Sequence, residues 1–173
     1  MSDTTEAVRE RTFTWNAPMD TARSIVGRDP MTWLSDMMAG KIPAPPAARL
    51  LDFSIESVEE GRVVFGMRTH EWMANPAGVI HGGMSATLLD TVMTLAVVSK
   101  IPPEKMCTTI DLQVRFLRPL FPNGEKVTGE GVAVHVGTNF GTAEGRIHDA
   151  KGRLIAHGTA SLAIVDALAQ KPR

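Results

Sequence analysis

Between Met84 and Ser99 the chain reads MSATLLDTVMTLAVVS, apolar or hydroxyl-bearing at every position except Asp90. The run falls short of the roughly 20 apolar residues needed to span a bilayer, so it predicts a buried helix around which the rest of the chain must be arranged. An isolated charge in such surroundings costs free energy unless it is paired, neutralised or used. The residues three and four positions from Asp90 are Ala86, Thr87, Met93 and Thr94, all uncharged, so a solvated helix face does not account for it. The helix opens on His81-Gly82-Gly83, where small residues let backbone approach a ligand and where the first N–H groups have no intrahelical partner.

Strand-like texture flanks this helix. LLDFSIESVEEGRVVFGMRT forms two β-like runs around Glu59-Glu60-Gly61, a hairpin pattern. After the helix, TTIDLQVRFLRP, EKVTGEGVAVHVG, NFGTAEGRIHDA and RLIAHGTASLAIV read as four more strands joined by short turns. A meander of antiparallel strands with one helix inserted early buries that helix only by curling around it, which predicts an α+β architecture with exposed edges suited to self-association. Upstream, Asp29 caps and Pro30 opens a short helix, Met31, Leu34, Met37 and Met38 repeat at helical spacing, and Gly40 ends it. Residues up to about Pro18 read as a tail anchored by Phe13 and Trp15, and the prolines of PAPPAARL as an extended connector. The expected division is an N-terminal extension over 1–45, one domain over 46–167 and a tail over 168–173.

Composition narrows the partners. A net charge of -1 over 173 residues, with no Lys/Arg-rich run, gives no footprint for nucleic acid or an anionic membrane, which leaves small molecules and other proteins. A single cysteine, Cys107, excludes an intrachain disulfide framework and multi-thiolate metal sites, and with no signal peptide pattern at the start the expected location is cytoplasmic. His70, His81, His135, His148 and His157 lack ligand spacing, so no metal is expected.

The helix start suits an oxyanion or a polarised carbonyl, although Gly82 and Gly83 equally permit tight packing, and His81 and Asn75 taken alone are compatible with a capping and a turn role. Asp90 suits either catalysis or a polar contact between subunits. His81 and Asp90 are nine residues apart, which separates them by about 13 Å along the axis on roughly opposite faces. One substrate atom meets both only if the helices of two protomers pack antiparallel about a two-fold.

Taken together, Asn75, Gly78, His81-Gly82-Gly83, Leu88 and Asp90 resemble the pattern N-x-x-G-x-x-H-G-G-x-x-x-x-L-x-D of hotdog-fold acyl-CoA thioesterases of the phenylacetate-pathway (PaaI) type. GRVVFGM, TTIDLQVRFLRP and GRLIAHGTASLAIV resemble the family's strands, so the likeness extends over about Leu50 to Val165. It implies an antiparallel sheet wrapped around one long central helix, here with an N-terminal helical extension, assembled as dimers and often as dimers of dimers. It also implies hydrolysis of an acyl-CoA thioester with no cofactor beyond the coenzyme A of the substrate.

Carried across, the Gly82 N–H polarises the thioester carbonyl, Asn75 and His81 orient it, and Asp90 of the neighbouring subunit activates water or attacks directly. Thr109 is the candidate for the hydroxyl that helps hold the water, with Thr108 as its alternative. Gly83, Arg115, Arg118 and the strand end at Val136-Gly137 are candidates for contacting the substrate, the arginines by meeting coenzyme A phosphates. Many relatives carry a basic residue soon after that glycine, whereas Thr138 and Asn139 stand here, which puts the usual phosphate contact in doubt. A non-catalytic acyl-CoA-binding module and a hydroxyacyl thioester dehydratase on the same fold are the competing readings. The helix from Pro30 to Met38 either covers the acyl end of the site or decorates the outside of the sheet.

Overall fold

The computed structural model describes residues 8–167. Three short helices come first: α1 (Pro18–Ile25), α2 (Pro30–Met38) and α3 (Pro46–Leu50). The hairpin follows as β1 (Phe53–Glu59) and β2 (Arg62–Arg68), with Gly61 taking the positive φ of +81° that its turn requires. A single 3-10 turn at Glu71–Met73 leads to the long helix α4 (Gly82–Val98) and then to β3 (Lys105–Phe116), β4 (Lys126–Val136), β5 (Phe140–His148) and β6 (Leu154–Asp166).

All pairings are antiparallel, and the strands lie in the order β1-β2-β4-β5-β6-β3. The expected meander is therefore corrected at one strand: β3 crosses to the far edge and pairs only with β6, so β1 and β3 are the two edges of a curled sheet. The helix α4 lies in the hollow. Ser85, Leu88, Leu89, Val92, Met93, Ala96 and Val97 form its buried stripe, and each large apolar side chain among them contributes about 1.5–3 kcal/mol by leaving water. The sheet approaches so closely that a Cβ at Gly131 would collide with the Val92 carbonyl. Thr87, Asp90, Thr91 and Thr94 form the opposite, half-open stripe of the same helix.

The N-terminal helices depart from expectation in two places. Of the two expected anchors before Pro18, Phe13 is half-buried, while Trp15 stacks on it with centroids 5.0 Å apart and stays 57% exposed. Further contacts are made by Arg9, paired with Glu71 at 2.7 Å, by Arg11, whose guanidinium lies 4.1 Å from the Trp72 ring centroid and donates to the Leu50 carbonyl, and by Asn16, whose Oδ1 accepts from Arg49 at 3.2 Å. The second correction concerns PAPPAARL, which is extended only as far as Pro45. Pro46 then opens α3, because a proline at the first helical position loses no hydrogen bond.

The helix expected over Pro30–Met38 forms with those bounds, and the Asp29 carboxylate accepts from the Thr32 N–H at 2.8 Å. Trp33 and Leu34 enter the core, and Asp36 ties the segment together by accepting from Arg28 at 2.6 Å and Lys41 at 3.0 Å. Hydrogen bonding from Arg28 and then Lys41 holds the Asp36 carboxyl below its ordinary value. Among the described residues no helix is long and apolar enough to cross a membrane.

Candidate active site

The start of α4 is built around His81, which takes the N-cap position. Its Nδ1 accepts from the Gly83 N–H at 3.0 Å and its carbonyl accepts from the Met84 N–H at 2.9 Å. An accepting Nδ1 places the proton of the neutral ring on Nε2, so His81 presents a donor outward. With those two amides occupied, the Gly82 N–H is the helix-start donor left to face a ligand. Asn75 sits on the preceding loop, where its Oδ1 accepts from the Ala77 N–H at 2.9 Å and the Val79 N–H at 3.4 Å. Its oxygen is therefore committed to the loop, and what it can offer a substrate is the amide NH2.

Asn75 and Gly82 line a cavity of about 350 Å³ together with Ile80, Phe116, Arg118 and Leu120. The Phe116 ring lies against the helix start, so close that a Cβ on Gly82 would stand 3.0 Å from its Cζ.

Asp90 belongs to a different space. It lines a cavity of about 460 Å³ with Thr91, Thr94 and Leu95 of α4, Phe53, Ser54 and Ile55 of β1, and Cys107, Thr108 and Thr109 of β3. The cavity thus occupies the seam between the two edges of the curled sheet. Thr109 Oγ1 donates to Asp90 Oδ1 at 2.7 Å, and its oxygen lies 3.3 Å from Thr94 Oγ1. With its single proton given to the carboxylate, Thr109 can only accept from Thr94, which makes a directed chain from Thr94 through Thr109 to Asp90. The second carboxylate oxygen is the one that can reach for a water.

A β-bulge sets this geometry. In TTIDLQV, strict alternation with Ile110, Leu112 and Val114 inward would turn Thr109 outward. The pairing with β6 shifts register between Thr109 and Asp111, which leaves Ile110 63% exposed and sends Cys107 and Thr109 to the interior before the bulge, Leu112 and Val114 after it.

The structure therefore brings Asp90, Thr108 and Thr109 together in one cavity and Asn75, Gly82 and Arg118 in the other. His81 and Gly83 flank Gly82 in the chain but are not among the residues lining either cavity. Arg118 uses its guanidinium on the Leu154 carbonyl, and Arg115 is exposed on β3. Val136 and Gly137 close β4, where the Gly137 N–H donates to the Phe140 carbonyl at 2.9 Å, and they line neither cavity. Cys107, which plays no part in the sequence-based site, lines the larger cavity beside Thr108, and burial pushes its thiol up to about 11.

A model of the thioesterase superfamily matches residues 77–156, a segment that contains His81, Gly82, Asp90 and Thr109. The matched segment is 80 of the chain's 173 residues. The superfamily's hotdog arrangement is the one described above, and a phenylacetic acid degradation-related protein of Ralstonia eutropha shares it with a TM-score of 0.69 at 28% identity, over 76% of this chain and 98% of that protein. The human acyl-coenzyme A thioesterase 13 is 26% identical over 140 residues, which are 74% of this chain and 94% of the relative. A Halobacterium salinarum protein provisionally named an esterase is 37% identical over 99 residues, 54% of this chain, and the match spans 64% of that relative's length. Within one chain the helix-start donors and the Asp90 carboxylate are thus held in separate cavities.

Proposed function

We propose that the chain hydrolyses the thioester of an aromatic or medium-chain acyl-CoA to the free acid and coenzyme A, in a homodimer whose two sites each combine the Gly82 end of one α4 with Asp90 of the other. The observation that carries this reading is the Asp90 carboxylate, hydrogen-bonded to Thr109 at the edge of an otherwise uncharged cavity, in a domain of this superfamily. The name of the human relative supports coenzyme A as the thiol.

The chemistry follows from the groups available. The Gly82 N–H, aided by the Nε2–H of His81 and the Asn75 amide, polarises the carbonyl and stabilises the oxyanion as water adds. Asp90 takes the proton of that water as general base, and the tetrahedral intermediate collapses by breaking the C–S bond, after which the departing thiolate is protonated. Direct attack by Asp90 would instead pass through a mixed anhydride. In a single turnover in 18O-labelled water, label in the Asp90 carboxylate identifies direct attack, with water opening the anhydride at the Asp90 carbonyl.

Association of two copies has a physical basis in β3. It pairs with β6 on one side only, and it carries Ile110 and Phe116 exposed along a strand edge that a second chain can extend. Arg115 and Arg118 are proposed to meet the coenzyme A phosphates at this same end of β3.

Thiol release from a panel of aromatic and straight-chain acyl-CoAs tests the proposal. Wild type is expected to hydrolyse at least one member, and Asp90→Asn, still dimeric, to lose about 100-fold or more of that activity, the contribution of a general base. Binding of acyl-CoA without thiol release, or an Asp90→Asn variant as active as wild type, would sink it.

A further inference from the structure

The Asp90 cavity has walls that the thioesterase segment 77–156 does not supply. Thr21 and Ile25 of α1, Trp33, Met37 and Met38 of α2, and the stretch from Ala44 to Ala48 lie on its lining opposite α4. These helices close the seam that β1 and β3 leave open. Their footing is firm: Trp33 is 6% exposed and Leu34 is fully buried, Ile42 and Ala48 are also in the core, and Thr21 Oγ1 donates to the Pro43 carbonyl at 3.2 Å. The side chains they turn toward the cavity are of a different kind. Ile25 and Met37 are only partly buried, and a thioether adapts its shape to whatever it touches.

The lining also limits what can enter. Among the described residues Asp90 is the one charged side chain on the lining, the other polar groups being hydroxyls, the Cys107 thiol and the Trp33 indole N–H, so no cation there awaits a second carboxylate at the distal end of an acyl group. A volume of about 460 Å³ lies within the roughly 300–1,000 Å³ of small-molecule pockets.

We propose that the N-terminal helices are the specificity element of the enzyme: Ile25, Trp33 and Met37 form the end wall of the acyl cavity and set the length of the neutral, apolar acyl group it accepts. The proposal rests on the assignment of the Asp90 cavity as the acyl site and adds to it which residues read the acyl end. A chain that outgrows the wall must displace Met37, and one that stops short leaves it uncovered, so discrimination is worth about fourfold per methylene.

The test is a chain-length profile of kcat/KM for saturated acyl-CoAs with wild type, Met37→Ala, Met37→Trp and Ser35→Ala, the last being an exposed residue of α2 that does not line the cavity. Removing the thioether arm is expected to raise the preference for a chain two methylenes longer than the wild-type optimum by about 15-fold. Met37→Trp is expected to shift the optimum to shorter chains, and Ser35→Ala to leave the profile in place. Beside it, fluorescence of the uncharged dye N-phenyl-1-naphthylamine reports occupancy without chemistry, with binding expected in wild type and lost in Met37→Trp. Hydrolysis whose length profile is the same in all four proteins overturns the proposal while the thioesterase reading stands. Dye that binds, is lost in Met37→Trp and is displaced by fatty acids in order of length, with no thiol release, supports the wall and removes the catalysis instead.

Discussion

On the proposed function, the two cavities beside α4 divide the requirements of one reaction between them. The helix start offers donors: the Gly82 N–H and the Asn75 amide on the cavity lining, and the outward nitrogen of His81 beside them in the chain. The cavity at mid-helix offers an acceptor, Asp90, aligned by Thr109 and Thr94. Neither can cleave a thioester alone, because a polarised carbonyl without a base waits for a nucleophile, and a base without a polarised carbonyl has nothing to attack. About 12 Å of helix separates Gly82 from Asp90, so the rigidity that positions each half prevents them from meeting within a chain. In the proposed dimer, two antiparallel copies of the helix would resolve the conflict without bending anything.

The largest expected effect comes from inactivating each half separately. Gly82→Pro removes the N–H and keeps the helix, since proline is favoured at the first helical position and His81, at φ -59° and ψ 131°, already has the extended backbone required before proline, while the exposed Phe116 ring, 3.0 Å from the new Cβ, must shift by a few tenths of an ångström. Its kcat is expected to fall by about 100- to 1,000-fold, the value of one oxyanion donor. Mixed in equal amounts and allowed to exchange subunits, Gly82→Pro and Asp90→Asn should regain about a quarter of wild-type activity, because half of the dimers are then mixed and each contains one intact site. A mixture no better than its components would place both groups on one chain's substrate and break the comparison.

A smaller effect is expected within the acceptor half. Thr109→Val keeps the shape and deletes the hydrogen bond to Asp90; a bond to a charged group is worth about 1.5–3 kcal/mol, or about 10- to 100-fold in rate. The loss should appear in kcat with KM little changed, and Thr109→Ser should restore it. Equal loss in the serine variant would mean that the methyl group, not the hydroxyl, is what the site uses.

This threonine also shows where sequence reading stops. The long helix was legible from its apolar run, and Asp90 stood out because nothing near it in sequence could satisfy a charge. The hairpin was legible from Gly61 and the α2 helix from Asp29 and Pro30, all of them local signals. The bulge at Ile110 was not, because alternation in TTIDLQV describes an unbroken strand, and only pairing with β6 reveals the extra residue. Thr109 was reached through family resemblance rather than through periodicity. The crossing of β3 to the far edge was hidden for the same reason, since the connection over 117–125 carries no signal of which strand its neighbours will join. Of the N-terminal helices, α1 and α3 begin at Pro18 and Pro46, residues read as the end of a tail and as an extended connector.

The smallest effect concerns access to the acceptor half, and Cys107 reports on it alone. It is the single cysteine, it lines the Asp90 cavity and not the Gly82 one, and burial raises its thiol from 9.0 to about 11. At pH 8 only about a thousandth of such a thiol is ionised, a deficit that the higher intrinsic reactivity of a more basic thiolate offsets only in part. Alkylation by iodoacetamide should therefore be at least about tenfold slower than in the denatured chain, and its rate should keep climbing toward pH 11 instead of levelling near pH 9. A long-chain fatty acid that fills the cavity should slow it further. Labelling at pH 8 as fast as in the denatured chain would show that the walls of the Asp90 cavity do not shield Cys107, and the acceptor half would no longer be an enclosed space.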